Sequence, residues 1–257
     1  MDLDSETPQK IGIWSFPLDC AVELLPLAER LLSAEERTRA SRFHLDQHRR
    51  RFVVRRAMLR VVLAHLTAAR PSEIQFIVAN HKKPRLVTRD SSIEFSSGHS
   101  EDCGVVVTGQ VPLGVDIEAL GRPIDYLGIA GRYFADEEYA DIQRIPGCAR
   151  RIGFLNCWTG KEAYVKALGV GLSKSLRSFA VQCAPDEPPG LRWDNDTRTP
   201  CSEYHFLRYT DDEYVVTVVL TDLTGVIEPD FHSLSPTSLQ ALRPQRNAPE
   251  TIWRPSP

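Results

Sequence analysis

The segment from residue 154 to residue 172 constrains the fold of this chain more than any other. Its apolar side chains recur at helical spacing, and Gly169 and Gly171 follow where that pattern ends. Glycine readily adopts the left-handed backbone conformation at which helices commonly stop. The sequence therefore predicts one amphipathic helix that ends in a glycine turn.

Three side chains of this predicted helix, Trp158, Glu162 and Lys166, are spaced four residues apart. On a helix this spacing places them along one face, so an aromatic ring, a carboxylate and an ammonium group would line a shared cleft. The alternative is that Glu162 and Lys166 form an ordinary surface ion pair, which stabilises a helix by only about 0.3–0.5 kcal/mol. The helix alone does not decide between these interpretations.

A second stretch, residues 113–118, has the alternating pattern of a strand. Asp116 and Glu118 would point to the same side, while the apolar residues between them pack beneath. Two carboxylates on one face repel each other unless a cation or a proton intervenes, and their hard oxygens suit Mg²⁺. The alternative is a polar edge of a half-exposed sheet. We expect this strand to form a hairpin with residues 103–108.

Positive charge is concentrated in one segment, although the whole chain carries a net charge of −3. The overall balance argues against general nucleic-acid binding. The clustered arginines suit a polyanion such as a phosphate-rich small molecule or an acidic protein, or else they form a solvated helix face. They are Arg37, Arg39, Arg42, Arg49, Arg50, Arg51, Arg55, Arg56 and Arg60.

Two polar segments between the predicted helices could contact an anion. Lys83 precedes Pro84, which holds the lysine backbone extended and could aim its ammonium group at an anion. Residues 93–100 contain small side chains and His99, and we expect a loop at the end of a strand where backbone N–H groups approach a phosphate. Each segment could equally be an ordinary turn.

The order of the predicted elements indicates an α+β protein in which helices precede strands in each half. We divide the chain into an N-terminal half at residues 1–110, a C-terminal half at residues 111–225 and a proline-rich, loosely attached tail at residues 226–257. In the N-terminal half, a capping box at Ser33 opens one helix, and a long basic helix begins near Asp46.

The composition predicts a cytoplasmic protein without a membrane span. No apolar run approaches the roughly 18 residues that a spanning helix needs, and the acidic start does not resemble an export signal. The six cysteines lack the paired short spacings of a zinc site, so we expect reduced thiols. They are Cys20, Cys103, Cys148, Cys157, Cys183 and Cys201.

Taken together, the three carboxylates, the two lysines and the histidine suit transfer of a phosphate-containing group with a divalent metal. In this order the segments resemble a 4'-phosphopantetheinyl transferase of the surfactin-synthetase-activating type. The resemblance extends over residues 11–220. It rests on Gly-Val-Asp-Ile-Glu at 114–118, on Trp-Thr-Gly-Lys-Glu-Ala-Tyr-Val-Lys at 158–166 and on Gly-Val-Gly-Leu at 169–172.

The resemblance implies two similar α/β halves in a pseudo-twofold arrangement, with coenzyme A in the cleft between them. It implies that phosphopantetheine moves from coenzyme A to a serine of an acyl or peptidyl carrier protein, releasing adenosine 3',5'-bisphosphate. The N-terminal half would contact coenzyme A and the carrier, and the C-terminal half would carry the metal and catalytic motifs. We expect a monomer without nucleic-acid or membrane partners.

The residue set and the resemblance together assign a role to each candidate. Mg²⁺, or Mn²⁺ in its place, would be bound by Asp116, Glu118 and Glu162. Glu162, directly or through a metal-bound water, would take the proton from the carrier serine, and Lys166 would stabilise the attacked phosphate. His99 joins these two as a catalytic residue. The residues expected to bind the coenzyme are Arg39, Lys83, Gly98, His99, Asp116, Glu162 and Lys166.

The segment at residues 95–100 departs from the family pattern. Members usually have Phe-Asn-x-Ser-His-Ser, whereas this chain has Phe-Ser-Ser-Gly-His-Ser. Gly98 removes a hydroxyl that is expected to help hold the phosphates of the coenzyme. We therefore expect either a backbone N–H in its place or weaker binding of coenzyme A.

Two other functions would also suit these residues. A metal-dependent hydrolase of a nucleotide pyrophosphate would use the same site with water as the acceptor, but the chain has no glutamate-rich Nudix-type helix and no Gly-x-x-x-x-Gly-Lys-Ser/Thr loop. A non-enzymatic adaptor would bind an acidic partner. Its Asp116 and Glu118 would then be solvated, and its Glu162 and Lys166 would pair with each other.

Overall fold

Helices and strands both contribute to the fold, as expected for an α+β protein. The computed structural model describes residues 9–77, 83–88, 92–147, 149–221 and 226–239. The helices are α1 (Leu25–Leu31), α2 (Ala34–Ala40), α3 (Asp46–Thr67), α4 (Tyr126–Tyr133), α5 (Asp136–Arg144) and α6 (Ala149–Leu168). None of the helices in these ranges is long and apolar enough to cross a bilayer.

The described part of the chain also contains eleven strands, distributed over four sheets. They are β1 (Gln9–Pro17), β2 (Phe76–Ile77), β3 (Arg85–Leu86), β4 (Glu94–Ser100), β5 (Cys103–Gly109), β6 (Leu113–Ala119), β7 (Phe179–Val181), β8 (Leu191–Asp194), β9 (His205–Thr210), β10 (Tyr214–Leu220) and β11 (Ile227–Ser233). The larger sheets have the strand orders β11-β1-β5-β4 and β6-β10-β9. Two-stranded sheets pair β2 with β3 and β7 with β8.

The hairpin expected between residues 103–108 and 113–118 is wrong. β5 pairs antiparallel with β1 on one edge and with β4 on the other, so neither edge of β5 is open to β6. β6 pairs instead with β10 in the second sheet. The chain therefore passes from one sheet to the other between Gly109 and Leu113.

The long basic helix is confirmed as α3, and its buried side packs on the first sheet. Its anchor is Arg60, which is 2% exposed and donates to Glu36 Oε2 at 2.8 Å. The predicted capping box at Ser33 is also confirmed, because Ser33 and Glu36 each accept a hydrogen bond from the other's backbone N–H. Although burial alone would raise the pKa of Glu36, the Arg56 charge and these hydrogen bonds lower it.

The predicted central helix is confirmed as α6, and it ends at the predicted glycines. Gly169 and Gly171 have φ angles of 66° and 60°, which lie in the left-handed region that favours glycine. α6 packs across β6 and β10. The hydroxyls of Thr159 on α6 and Thr217 on β10 form a buried hydrogen bond of 2.7 Å.

The closest approach of α6 to the second sheet is at Gly114 on β6. A Cβ added at this position would overlap the carbonyl oxygen of Ala163 and the amide nitrogen of Ala167, both of which belong to the helix backbone. Backbone atoms of a helix cannot move aside as a flexible side chain can. Gly114 therefore sets the distance between α6 and β6.

β4 and β6 lie against each other and join the two main sheets. Ser96 Oγ accepts a hydrogen bond from the Val115 backbone N–H at 3.1 Å, and Ser100 Oγ accepts one from the Ala119 N–H at 3.0 Å. We call this contact the β4–β6 junction. Because these hydrogen bonds go to serine side chains and not from backbone to backbone, β4 and β6 remain in separate sheets.

The loosely attached tail expected from residue 226 is wrong for residues 227–239. β11 runs parallel to β1 over seven residue pairs and forms an edge of the first sheet. His232 stacks on Trp14 with ring centroids 3.8 Å apart, and Leu239 is fully buried in the N-terminal core. Backbone pairing and this burial hold the segment despite its proline-rich composition. Residues 240–257 lie outside the described ranges.

Because the α6 backbone lies so close to Gly114, adding one methyl group at this position should destabilise the fold. Gly114→Ala should lower the free energy of unfolding by about 3 kcal/mol, because the helix must move away from the strand. Urea denaturation measures this change. The control is Gly121→Ala, because Gly121 is exposed and a Cβ there would meet nothing within 4 Å. Equal stability of the two variants would show that α6 does not pack closely on β6 at Gly114.

Candidate functional site

The site is centred on Asp116 of β6, which is contacted by a lysine of α6. Lys166 Nζ donates to Asp116 Oδ1 at 2.7 Å and to the Val115 carbonyl oxygen at 2.9 Å. The pair of Glu162 with Lys166, considered above as an ordinary surface ion pair, is not formed. Lys166 bonds instead to the acidic strand, which is the arrangement that brings the two sequence motifs together.

The three candidate carboxylates share a poorly solvated region. Burial raises the pKa of Asp116, although the Lys166 ammonium opposes this shift. Burial and then the charge of Asp116 raise the pKa of Glu118 and of Glu162. Each carboxylate thus makes ionisation of the next more costly, and a bound cation would relieve this repulsion.

The residues fit a divalent metal by their chemistry. Asp116 Oδ2 is buried and has no hydrogen-bond partner within the described part of the protein, which is costly for a carboxylate oxygen unless a ligand completes it. Glu118 accepts hydrogen bonds from Ser100 Oγ at 2.8 Å and from Arg122 at 3.4 Å. Hard carboxylate oxygens are the ligands that Mg²⁺ prefers.

Another acidic group, in the C-terminal core, has a structural role. Among the described residues, Glu138, Cys157 and Cys183 are the group whose potential ligand atoms all lie within 4.8 Å of one another. Lys161 Nζ already lies 2.8 Å from Glu138 Oε2, and both side chains are fully buried. The ammonium also donates to the Leu176 and Phe179 carbonyls, so this ion pair is complete.

His99 lies on β4 within reach of the basic helix. Its Nδ1 is 3.2 Å from a terminal guanidinium nitrogen of Arg55 on α3. Partial burial, followed by the charges of Arg55 and Lys166, lowers the pKa of His99 to about 4. His99 is therefore neutral at physiological pH, and Lys166 on the other half lies close enough to influence it.

The expected loop at residues 93–100 is wrong, because Glu94–Ser100 forms strand β4. Successive side chains of a strand alternate between its faces. Phe95 and His99 face the helix side, whereas Gly98 faces the β4–β6 junction. A Cβ at Gly98 would lie 3.4 Å from the Ile117 amide nitrogen and 3.2 Å from the Ile117 side chain. A hydroxyl at position 98 would therefore point to β6, not to a phosphate.

Two other candidates for coenzyme binding are Arg39 and Lys83. Arg39 is exposed, and its guanidinium lies 5.4 Å from the centre of the Phe52 ring. Lys83 instead directs its ammonium to Glu94 Oε2 at 3.0 Å and to the Leu113 carbonyl at 2.8 Å. Lys83 is therefore already paired, next to the strand that carries Asp116.

Most other arginines of the basic segment have acidic partners. Arg49 contacts Glu29 at 2.7 Å, and Arg51 contacts Asp19 at 2.7 Å. Arg50 pairs with Asp46 at 2.9 Å. The first two pairs connect α3 to the segments around it, and the third lies within α3. Together they account for much of the charge cluster without any ligand.

Sequence reasoning missed the residues that support the site. Ser96 and Ser100 bridge the two sheets, and their spacing with Gly98 at every second position is the strand signal that could have revealed them. Lys161 lies inside the recognised motif, but nothing in the sequence distinguishes its buried ion pair from an exposed charge. The contact of Arg55 with His99 depends on tertiary structure.

The site has buried carboxylates, a lysine bound to one of them and a neutral histidine beside an arginine. This composition would suit an enzyme centre that binds a phosphate-bearing ligand and a divalent cation. A family model described as the 4'-phosphopantetheinyl transferase superfamily matches residues 112–219. A second, described as 4'-phosphopantetheinyl transferase, N-terminal, matches residues 20–111.

Individual relatives agree with the family models. The chain is 34% identical over 188 residues to the 4'-phosphopantetheinyl transferase HetI of a Nostoc species, covering 71% of this chain and 78% of the relative. It is 31% identical over 192 residues to psf-1 of Bacillus pumilus, covering 70% and 81%. It is 28% identical over 170 residues to Sfp of Bacillus subtilis, covering 66% and 74%. The chain belongs to the 4'-phosphopantetheinyl transferase superfamily and is an enzyme, which confirms the resemblance.

A side chain at position 98 would point toward β6, so restoring the serine that family members have there should not improve coenzyme binding. Gly98→Ser should change the dissociation constant of coenzyme A by less than about twofold, because the added hydroxyl faces the Ile117 N–H. Calorimetric titration measures this constant. A tenfold gain in coenzyme affinity on Gly98→Ser would show instead that the hydroxyl reaches the ligand.

Ser96→Ala, which removes a hydroxyl at the same β4–β6 junction, should lower the free energy of unfolding by about 1–2 kcal/mol.

Proposed function

We propose that this enzyme transfers the 4'-phosphopantetheine group of coenzyme A to a serine of an acyl or peptidyl carrier protein. The transfer depends on Mg²⁺, and adenosine 3',5'-bisphosphate is the second product. The chain acts as a monomer in the cytoplasm. Family membership supports the reaction, and the residues around Asp116 support its chemistry.

The observation that carries the proposal is the state of Asp116. Its Oδ1 accepts from Lys166, whereas its buried Oδ2 has no hydrogen-bond partner in the described structure. A side chain of this kind holds a lysine in place and still offers an oxygen to a cation. Asp116, Glu118 and Glu162 would hold Mg²⁺, which when bound neutralises charge on the pyrophosphate oxygens.

The basic side chains bind and orient the coenzyme. The Lys166 ammonium lies beside the acidic motif and would contact the phosphate under attack, where negative charge increases during transfer. Arg39 and His99 would contact other phosphate oxygens of the coenzyme. Lys83 would contribute after exchanging its bond with Glu94 for one with the ligand. Fixing the pyrophosphate at these points holds the phosphorus in line with the incoming hydroxyl.

Glu162 is the proposed base. The serine oxygen of the carrier forms a bond to the phosphorus of the phosphopantetheine group, and the bond from that phosphorus to the bridging oxygen of the pyrophosphate breaks. The serine proton moves to Glu162, and the electron pair of the broken bond leaves with adenosine 3',5'-bisphosphate. Poor solvation of the Glu162 carboxylate favours its protonated form and so favours this proton transfer.

Intact-mass spectrometry tests the reaction. An apo carrier protein incubated with the enzyme, coenzyme A and Mg²⁺ should gain the mass of one phosphopantetheine group, about 340 Da by its formula. Asp116→Ala should reduce the rate at least about 100-fold, because it removes both the Lys166 partner and the unpaired oxygen. Asp186→Ala is the matched control, since Asp186 is an exposed aspartate that is not among the proposed site residues.

The outcomes separate the alternative functions. Modification by the wild type and by Asp186→Ala, but not by Asp116→Ala, supports the proposal. Cleavage of coenzyme A without modification of any carrier would support the pyrophosphate hydrolase. Absence of both coenzyme binding and modification would support the adaptor.

A further inference from the structure

Arg55 differs from the neighbouring arginines of α3 because its partner is a histidine and not a carboxylate. Arg55 is half-buried on α3, and within the described ranges no ion pair joins it to a carboxylate, whereas Arg49, Arg50 and Arg51 each pair with one. Its Nε is buried without a hydrogen-bond partner. A terminal guanidinium nitrogen lies 3.2 Å from His99 Nδ1.

The ring of Phe52 holds Arg55 in this position. The Arg55 guanidinium lies 5.7 Å from the centre of the ring, and the Arg39 guanidinium lies 5.4 Å from the same centre. Cations are attracted to aromatic faces at such distances. Phe52 thus links Arg55 to a residue that the proposed function assigns to the coenzyme, and Arg55 in turn contacts His99.

The chemistry of the contact determines which nitrogen of His99 carries the proton. A guanidinium group has five N–H donors and no acceptor, so it can bond only to a ring nitrogen that lacks a proton. The pKa of Arg55, lowered to about 10 by burial and by the charges of Arg56 and Arg39, leaves it charged at neutral pH. His99 Nδ1 is therefore the acceptor, and Nε2 carries the hydrogen.

We propose that Arg55 is a positioning residue that fixes His99 in its Nε2–H tautomer, so that this N–H donates to a phosphate oxygen of coenzyme A. The inference rests on the proposed function for the identity of the ligand, but the tautomer itself does not depend on it. His99 is exposed, so its Nε2–H is accessible to a ligand. A histidine fixed by a second group loses less freedom when it binds.

The tautomer of His99 can be measured in the wild-type enzyme without any ligand. Enzyme labelled with ¹⁵N in its histidine rings gives two-dimensional spectra in which the two neutral tautomers have distinct patterns, and His99→Gln identifies the signals of His99 among the seven histidines. At pH 7 we expect the Nε2–H pattern. The Nδ1–H pattern in the wild type would overturn the proposal.

A variant then connects the tautomer to binding. Arg55→Met removes the donor and keeps the apolar stem over Phe52, so the two tautomers of His99 should become mixed. The dissociation constant of coenzyme A, measured by calorimetry, should rise about tenfold, as expected for one weakened charge-assisted contact. Arg50→Met, which removes the same charge from the same helix, is the control and should change neither quantity.

The results distinguish this inference from the proposed function. If Arg55→Met leaves the tautomer and the coenzyme affinity as they are in Arg50→Met, the positioning role is wrong, whether or not the wild type modifies a carrier. If the tautomer and the affinity change as expected but no carrier is modified, the positioning role stands and the transferase proposal fails.

Discussion

The close packing of α6 against β6 at Gly114 is the contact on which the site depends. Because Gly114 has no side chain, the helix backbone lies directly on the strand that carries the first acidic motif. Only at this distance does Lys166 reach Asp116 at 2.7 Å, although the two are separated by 50 residues in the sequence. The Thr159–Thr217 hydrogen bond holds the same helix to β10. The second motif is thus aligned on the first by packing of the backbone.

The site also depends on an uneven distribution of charge between the two halves. The second half contributes carboxylates whose pKa values are raised by burial and by one another. The first half contributes the cations Arg39 and Arg55 beside a neutral His99, and Arg55 has no carboxylate partner among the described residues. Such an arrangement is unfavourable for the folded protein alone, and a ligand that combines phosphates with a divalent cation would relieve both excesses of charge.

Local patterns in the sequence were enough to predict α6, its glycine stop and the acidic strand, because helical spacing, a left-handed glycine turn and strand alternation each depend on residues close together in the sequence. It did not reveal that residues 94–100 form a strand, since their small polar side chains are typical of turns, and the apposed β6 stabilises them only in the folded chain. Residues 227–233, expected to belong to a loose tail, are held by pairing with β1, and no local sequence pattern predicts a contact between segments so far apart. The role of Arg55 depends on His99, 44 residues away.

The most direct measurement is the effect of Mg²⁺ on coenzyme A binding, determined by calorimetry for the wild type and for Asp116→Asn. In the proposed site Asp116, held beside Lys166, would offer an oxygen to a cation that binds together with the coenzyme. We therefore predict that Mg²⁺ lowers the dissociation constant of the wild type by about tenfold or more and that of Asp116→Asn by less than about twofold. An equal effect of Mg²⁺ on both proteins would contradict it.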